Sequence, residues 1–220
     1  MNFPTDDYII LLLGIVSTFM LITFFALLTR SANRVQNLRK IANDLGFEFI
    51  DTAPEKIISP LQEQFPLFVK GKKRFVRNIL QGKTELGAIK FFDFEYWMTI
   101  NAKGCIQQTI LWVAHQGEPL PQFSLRSQNW LDTIRRPDLA GRPFIISGND
   151  SKQVQSKLDN KTIEYLDTFA GLNIEAASNH LVIYLEDTKS SESLLQADKE
   201  TYQSLIALSS FLIKLLSDRE

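Results

Sequence analysis

The chain has 220 residues, a formal net charge of −1 and one cysteine, Cys105. A charge this balanced argues against the broad basic field typical of nucleic-acid-binding proteins. A single cysteine excludes an intrachain disulfide framework.

The first predicted element is a transmembrane helix over Tyr8 to Leu28, a stretch of 21 residues without a charge. At about 1.5 Å per residue it would be roughly 31 Å long, which matches the ~30 Å hydrocarbon core of a bilayer. Asp6 and Asp7 precede it where a signal peptide would carry basic residues, so we predict a retained anchor that contacts membrane lipid.

Charges that follow this stretch predict its orientation. They are Arg30, Arg34, Arg39 and Lys40. By the positive-inside rule the N-terminus lies outside and the rest of the chain in the cytoplasm, as a single-pass protein of the inner membrane. We therefore predict a membrane anchor with a short tail over residues 1–30 and a cytoplasmic α+β domain over residues 31–220.

A narrow apolar stripe with helical spacing follows, formed by Val35, Leu38, Ile41, Ala42 and Leu45. It predicts the first core helix of the domain, ending at Gly46, in preference to a helix that lies on lipid headgroups. Two short helical turns are predicted near residues 52–55 and 59–62, where Pro stands near the first helical position.

The middle third of the chain has the period of strands. Strands are predicted over Arg74 to Leu80, Ala88 to Met98, Ile106 to His115 and Phe123 to Arg126. In the second strand the apolar side chains of Phe92, Phe94, Tyr96 and Met98 share one face. Short links between the four strands predict an antiparallel meander.

Several segments in this region resemble a group of uncharacterised bacterial membrane-anchored proteins with a domain of unknown function. They are Phe65 to Phe68 with Gly71, Asn78 to Gly82, Phe91 to Tyr96, Gln108 to Ile110, and Leu120 to Arg126. The resemblance covers about residues 40 to 186 and departs at Ser127-Gln128, where Pro-Glu would be expected. It implies a bacterial setting and a fold type, but no activity.

In the last third we predict a short helix at 129–134, a strand at 143–147, two helices up to Gly171 and a hairpin around 178–180. Residues 190–220 are predicted to hold the end of a mobile polar loop and a C-terminal amphipathic helix. The fold class is thus α+β: an N-terminal single transmembrane helix followed by a mainly antiparallel sheet with flanking helices.

No catalytic or metal site is predicted. His115 and His180 lack a Cys or Glu at ligand spacing, and Cys105 lacks a nearby base. Asp93 and Glu95 share one strand face, about 6 to 7 Å apart, but alternating charges on a solvated sheet face give the same pattern.

One cluster stands out, with five positive charges in eight residues: Lys70, Lys72, Lys73, Arg74 and Arg77. These residues are candidates for contact with anionic lipid headgroups, at about 1 kcal/mol for each close basic residue. The alternative is a solvated strand edge that Lys protects from pairing. A nucleic-acid role is disfavoured because we expect no exposed aromatic residues among the charges.

The sequence predicts a membrane-tethered, non-catalytic interaction module that binds a protein partner or the membrane surface. A structural accessory subunit of a membrane complex and an enzyme without a recognisable motif remain alternatives. We predict no cofactor and no nucleic-acid partner.

Overall fold

A computed structural model describes residues 5–52, 57–98, 105–128, 143–185 and 198–217. The helices are α1 Thr5–Leu45, α2 Ser59–Gln62, α3 Ser151–Lys157, α4 Asn160–Asp167 and α5 Lys199–Ser217, with a 3-10 helix at Pro66–Val69. The strands are β1 Glu48–Thr52, β2 Lys72–Thr84, β3 Gly87–Trp97, β4 Cys105–His115, β5 Leu120–Ser127, β6 Phe144–Ser147, β7 Leu172–Ser178 and β8 His180–Leu185. The architecture is α+β, with a single antiparallel sheet and helices, as predicted.

The sheet has the strand order β1-β2-β3-β4-β8-β7-β5-β6, and every neighbouring pair is antiparallel. The turn between β2 and β3 needs Gly87, which has φ +132° and whose Cβ, if present, would overlap the carbonyl oxygen of Ala114. The predicted strands of the middle third are therefore present, each slightly longer than the sequence pattern indicated, except that β3 ends at Trp97.

Both faces of the central strands are covered. Phe92, Phe94 and Tyr96 lie on one face of β3 and are buried, as the alternation predicted. Residues 57–69, which include α2 and the 3-10 helix, pack on this face. On the opposite face, Ile89 and Phe91 pack beneath the longer helices.

The helical layer consists of the C-terminal part of α1 together with α3, α4 and α5. Leu38, Ile41 and Ala42 of α1 are buried, which confirms the core-helix interpretation of the apolar stripe. Helix α1 ends at Gly46, whose φ is +70°, and the next N–H, that of Phe47, donates to the carbonyl of Ala42 at 2.8 Å. This is the hydrogen bond of a Schellman C-cap.

The predicted membrane anchor over Tyr8 to Leu28 is wrong. Among the residues that the structure describes, no helix combines the length and apolar character that a membrane span requires. The predictions that depended on the anchor are corrected with it: the single-pass topology, the inner-membrane location and the outside-to-cytoplasm orientation. The backbone of α1 runs without a break through residue 30, and the division into residues 1–30 and 31–220 stays a prediction.

The predicted four-strand meander is wrong at its last strand. Strands β2, β3 and β4 are consecutive neighbours, but β4 pairs with β8, and β5 pairs with β7 and β6. The β7–β8 hairpin therefore lies between β4 and β5. At its tip the Asn179 side chain donates to the carbonyls of His115 at 3.4 Å and Gly117 at 3.0 Å. These bonds hold the short β4–β5 link over the hairpin.

The remaining elements agree with the sequence pattern, including the 143–147 strand, the paired helices before Gly171, the hairpin and the C-terminal helix. A short helix is present at Ser59–Gln62 as predicted. The predicted turn at 52–55 lies outside the described residues except for Thr52, the last residue of β1. The predicted helix at 129–134 and the polar loop before α5 lie outside them entirely.

Candidate functional site

A buried carboxylate joins α1 to the sheet. Asp93, in the middle of β3, is 1% exposed. Arg34 of α1 donates to both of its oxygens, from Nη2 to Oδ1 at 2.6 Å and from Nε to Oδ2 at 3.0 Å. Asn78 donates to Oδ2 at 2.8 Å, and the Thr109 hydroxyl donates to Oδ1 at 2.9 Å. With a fifth, longer bond from Gln107 Nε2 to Oδ2 at 3.5 Å, these donors fill the roughly four acceptor positions of a carboxylate.

Strand geometry supplies the neutral donors. Thr109 is the direct partner of Asp93 on β4. Asn78 lies where the β2–β3 register shifts, between the pairs Arg77↔Asp93 and Leu80↔Phe91, and its φ is +53°. Asn adopts this left-handed conformation more readily than most residues, and bulges of this kind redirect a side chain.

Helix α5 closes the cluster with Tyr202, which is 1% exposed and packs edge-on against Phe91 at 4.7 Å between ring centroids. Burial raises the pKa of Tyr202, and the nearby charge of Asp93 raises it further. The phenol therefore stays neutral at physiological pH. Because the carboxylate already has its donors, the arrangement is suited to holding α1 and α5 on the sheet.

The sequence interpretation of Asp93 as part of a solvated sheet face is wrong, since helix α1 covers that face. Arg34, predicted to set membrane topology, is the main partner of this carboxylate. A local signal existed: Ile89 and Phe91 occupy the preceding positions of the same face, so Asp93 continues an apolar row. Its partner could not be inferred, because Arg34 is 59 residues away.

Other predicted topology residues have surface positions. Arg39 is exposed and its guanidinium lies 5.3 Å from the ring centroid of Phe49, which is a cation–π contact. Lys40 is exposed. Arg30 lies in α1, and its side chain is outside the described residues.

The residues of the basic cluster have different roles in the folded protein. Arg74 donates to three backbone carbonyls, those of Val69 at 2.7 Å, Gly71 at 3.0 Å and Lys70 at 3.1 Å. It thus stabilises the chain where the 3-10 helix ends and β2 begins. Arg74 is therefore primarily a structural residue.

The other cations of the cluster have different surroundings. Lys70 lies 5.8 Å from the ring centroid of Tyr184. Arg77 Nη2 lies 3.6 Å from Glu95 Oε2, and Arg77 Cζ lies 5.8 Å from the ring centroid of Phe75. Lys72 and Lys73 are exposed.

Cys105 and His115 lie at opposite ends of β4, about 33 Å apart at 3.3 Å per residue. Burial raises the pKa of the Cys105 thiol and Glu95 adds to this effect, so less of the reactive thiolate is present. His180 pairs with Ala114 across the strands and so lies next to His115 in the sheet, but on the other face. Across the described ranges, no group of three His, Cys, Asp or Glu residues could hold a metal ion.

His180 accepts a hydrogen bond at Nδ1 from Trp112 Nε1 at 3.3 Å. The ring of Trp112 also has the Lys90 ammonium 5.0 Å from its centroid. Burial lowers the pKa of His180 from its ordinary 6.5. This histidine is therefore neutral in the folded protein at pH 7 and has no role as a cation there.

We expect His180 to make the folded protein less stable in mild acid. Below pH 6.5 the unfolded chain binds a proton that the folded chain does not yet bind, so stability is full above this pH and falls as pH decreases through the lowered folded-state pKa. His180→Gln should reduce the loss of unfolding free energy between pH 7.5 and pH 5.5, measured by urea titration. If His180→Gln loses as much unfolding free energy over this pH range as the wild type, the lowered pKa of His180 is not the cause of the acid sensitivity.

Helix α1 presents an uncharged, exposed surface between residues 15 and 21. The side chains of Ile15, Val16 and Leu21 are 60%, 49% and 57% exposed, and those of Phe19 and Met20 are each 68% exposed. At 100° per residue, Ile15, Val16 and Leu21 point in three directions separated by about 100° to 140°. The exposed apolar surface thus surrounds the helix, whereas an ordinary amphipathic helix has a single apolar stripe.

No family model and no curated protein matches the chain. Among solved structures, the chain is similar to the crystal structure of the mycobacterial trehalose monomycolate transport factor A, TtfA, with a TM-score of 0.55 and 11% sequence identity. The likeness covers 85% of this chain and 98% of that one. At this identity it shows a shared fold alone, and the resemblance to uncharacterised bacterial proteins stays a prediction.

Proposed function

We propose that this chain is a non-catalytic interaction module that binds a protein partner through residues 15–21 of α1. The observation that supports this proposal is the exposure of five large apolar side chains on one uncharged helical stretch. Exposed apolar surface of this kind is typical of interaction sites in proteins.

Fixation of α1 on the sheet favours the same role. The Arg34 to Asp93 ion pair and the buried Leu38, Ile41 and Ala42 hold the C-terminal part of the helix. At 1.5 Å per residue, residues 15–21 lie about 20 to 29 Å along the helix from Arg34. The apolar stretch is thus presented at a defined distance from the sheet, which reduces the entropy lost on binding.

The arrangement of Ile15, Val16 and Leu21 around the helix defines the partner further. A groove, or one helix of a second copy of this chain, would cover a single side. Covering all three directions requires a protein that surrounds the helix with several apolar elements. The partner is therefore a different protein whose helices enclose α1.

Site-specific photo-crosslinking tests this proposal. A photoreactive amino acid placed singly at Ile15, Val16 and Leu21 of the full chain should give an adduct with one and the same protein in native cells. The control position is Tyr165, which is 38% exposed on α4. This position should not give that adduct.

The identified partner, purified, should then bind the wild type and Tyr165→Ser equally and Ile15→Ser/Leu21→Ser at least tenfold more weakly. The wild type and Ile15→Ser/Leu21→Ser should have the same melting temperature, because the two substituted side chains are exposed. Adducts with this chain alone, adducts with a different protein at each position, or equal binding of the variants would overturn the proposal.

A further inference from the structure

Exposed aromatic and basic side chains meet at one end of β2 and β3, on the face that carries Asp93. The basic–aromatic end is defined by Lys72, Lys73, Phe75, Arg77 and Trp97. Lys72 pairs with Trp97 and Phe75 pairs with Glu95, so Phe75 and Trp97 are diagonal neighbours across the two strands.

A bulge creates this surface. Between the pairs Lys72↔Trp97 and Phe75↔Glu95, β2 advances three residues while β3 advances two. The chain accommodates the additional residue near Lys73, whose φ is +49°. As a result Lys72 and Phe75 lie on the same face, which strict alternation would not allow.

The apolar part of this surface is open to solvent. Phe75 is 45% exposed and Trp97 is 46% exposed. The Arg77 side chain is 53% exposed beside the Phe75 ring. The sequence-based prediction that no exposed aromatic residue lies among these charges is therefore wrong, because Phe75 and Trp97 are exposed.

Positive charge exceeds negative charge at this end. Lys72, Lys73 and Arg77 contribute +3 to this end and Glu95 contributes −1, so its net charge is 3 − 1 = +2 in a chain of net charge −1. Glu95 faces these cations from β3. The distance from its Oε2 to Nη2 of Arg77 is 3.6 Å, which is long for an ion pair. The surface therefore keeps a clear positive field.

We propose that the basic–aromatic end binds the surface of an anionic lipid bilayer. Trp and Phe side chains favour the headgroup level, and Lys and Arg next to them attract anionic headgroups. This contact is peripheral and independent of the protein partner proposed for residues 15–21.

Vesicle binding of the full chain tests the inference. The wild type should bind vesicles of phosphatidylcholine with 30% phosphatidylglycerol more tightly than pure phosphatidylcholine vesicles. Added salt should weaken binding to the anionic vesicles and leave binding to the pure phosphatidylcholine vesicles unchanged. Lys72→Gln/Lys73→Gln should lower the partition coefficient on anionic vesicles about 25-fold, or about fivefold for each lysine. The matched control, Lys152→Gln/Lys161→Gln, replaces two exposed lysines of α3 and α4 and should leave it unchanged.

Trp97→Ser should weaken binding to anionic vesicles, and Tyr165→Ser should not. Equal effects of the two lysine pairs would overturn the inference, as would equal binding of the wild type to both kinds of vesicle. A competition experiment gives a third outcome that would overturn it. If a single-stranded oligonucleotide displaces the protein from anionic vesicles at a lower phosphate concentration than added anionic lipid does, the surface prefers nucleic acid.

Discussion

Phe94→Asp is expected to leave almost no folded protein. The Phe94 side chain is 0% exposed and packs against Phe68 and Tyr96, with ring centroids 5.3 Å and 5.4 Å away. Truncating a buried Phe alone costs about 3 to 5 kcal/mol, and an unpaired buried carboxylate adds several more. A domain stabilised by about 5 to 15 kcal/mol in total would lose most or all of this margin. Circular dichroism during urea unfolding measures the loss.

Phe75→Asp is the matched control for this substitution. Phe75 lies on the neighbouring strand β2, but on the other face of the sheet and 45% exposed. A charge there remains in water, so we expect the free energy of unfolding to change by less than about 1 kcal/mol. Equal unfolding of the two variants would show that the assignment of residues to the two faces is wrong.

Arg34→Met is expected to lower the free energy of unfolding by about 3 to 5 kcal/mol, because it leaves the buried Asp93 carboxylate without its cation. Asn78 and Thr109 would still donate to the carboxylate, but neither neutralises it. The measurement is urea unfolding of the variant and the parent at pH 7.

Lys40→Met provides the comparison, since it removes a cation from an exposed position of the same helix. We expect a change below about 0.5 kcal/mol. The double variant Arg34→Met/Asp93→Leu should be more stable than Arg34→Met, because no buried charge then remains. If Arg34→Met is no more harmful than Lys40→Met, the ion pair does not hold α1 on the sheet.

Local alternation was sufficient to predict most strands. Phe92, Phe94 and Tyr96 have the strict period of two, and no other regular structure would bury all three on one face. The core stripe of α1 was predicted for the same reason, since Leu38, Ile41 and Ala42 have helical spacing. These signals depend only on neighbours in the sequence.

Pairings between distant segments could not be predicted. Nothing near Arg34 indicates Asp93, and the two meet only because α1 packs on β3. The same reason explains the error at β5, since a short link normally joins neighbouring strands and the β7–β8 hairpin comes much later. The anchor prediction treated composition as decisive for Tyr8 to Leu28, and the described helices do not support it. The proposed surface of α1 rests on exposure, which composition alone does not reveal.

Insertion of the β7–β8 hairpin has a consequence for the order in which the protein folds. Strand β4 ends at His115, but its neighbour β8 is complete only at Leu185, which is 185 − 115 = 70 residues later. At about 5 to 20 residues per second, a ribosome needs roughly 4 to 14 s for that distance. During this time β4 has one unpaired edge, and such an edge can pair with other chains. The nascent chain is therefore most prone to aggregation between the synthesis of β4 and that of β8.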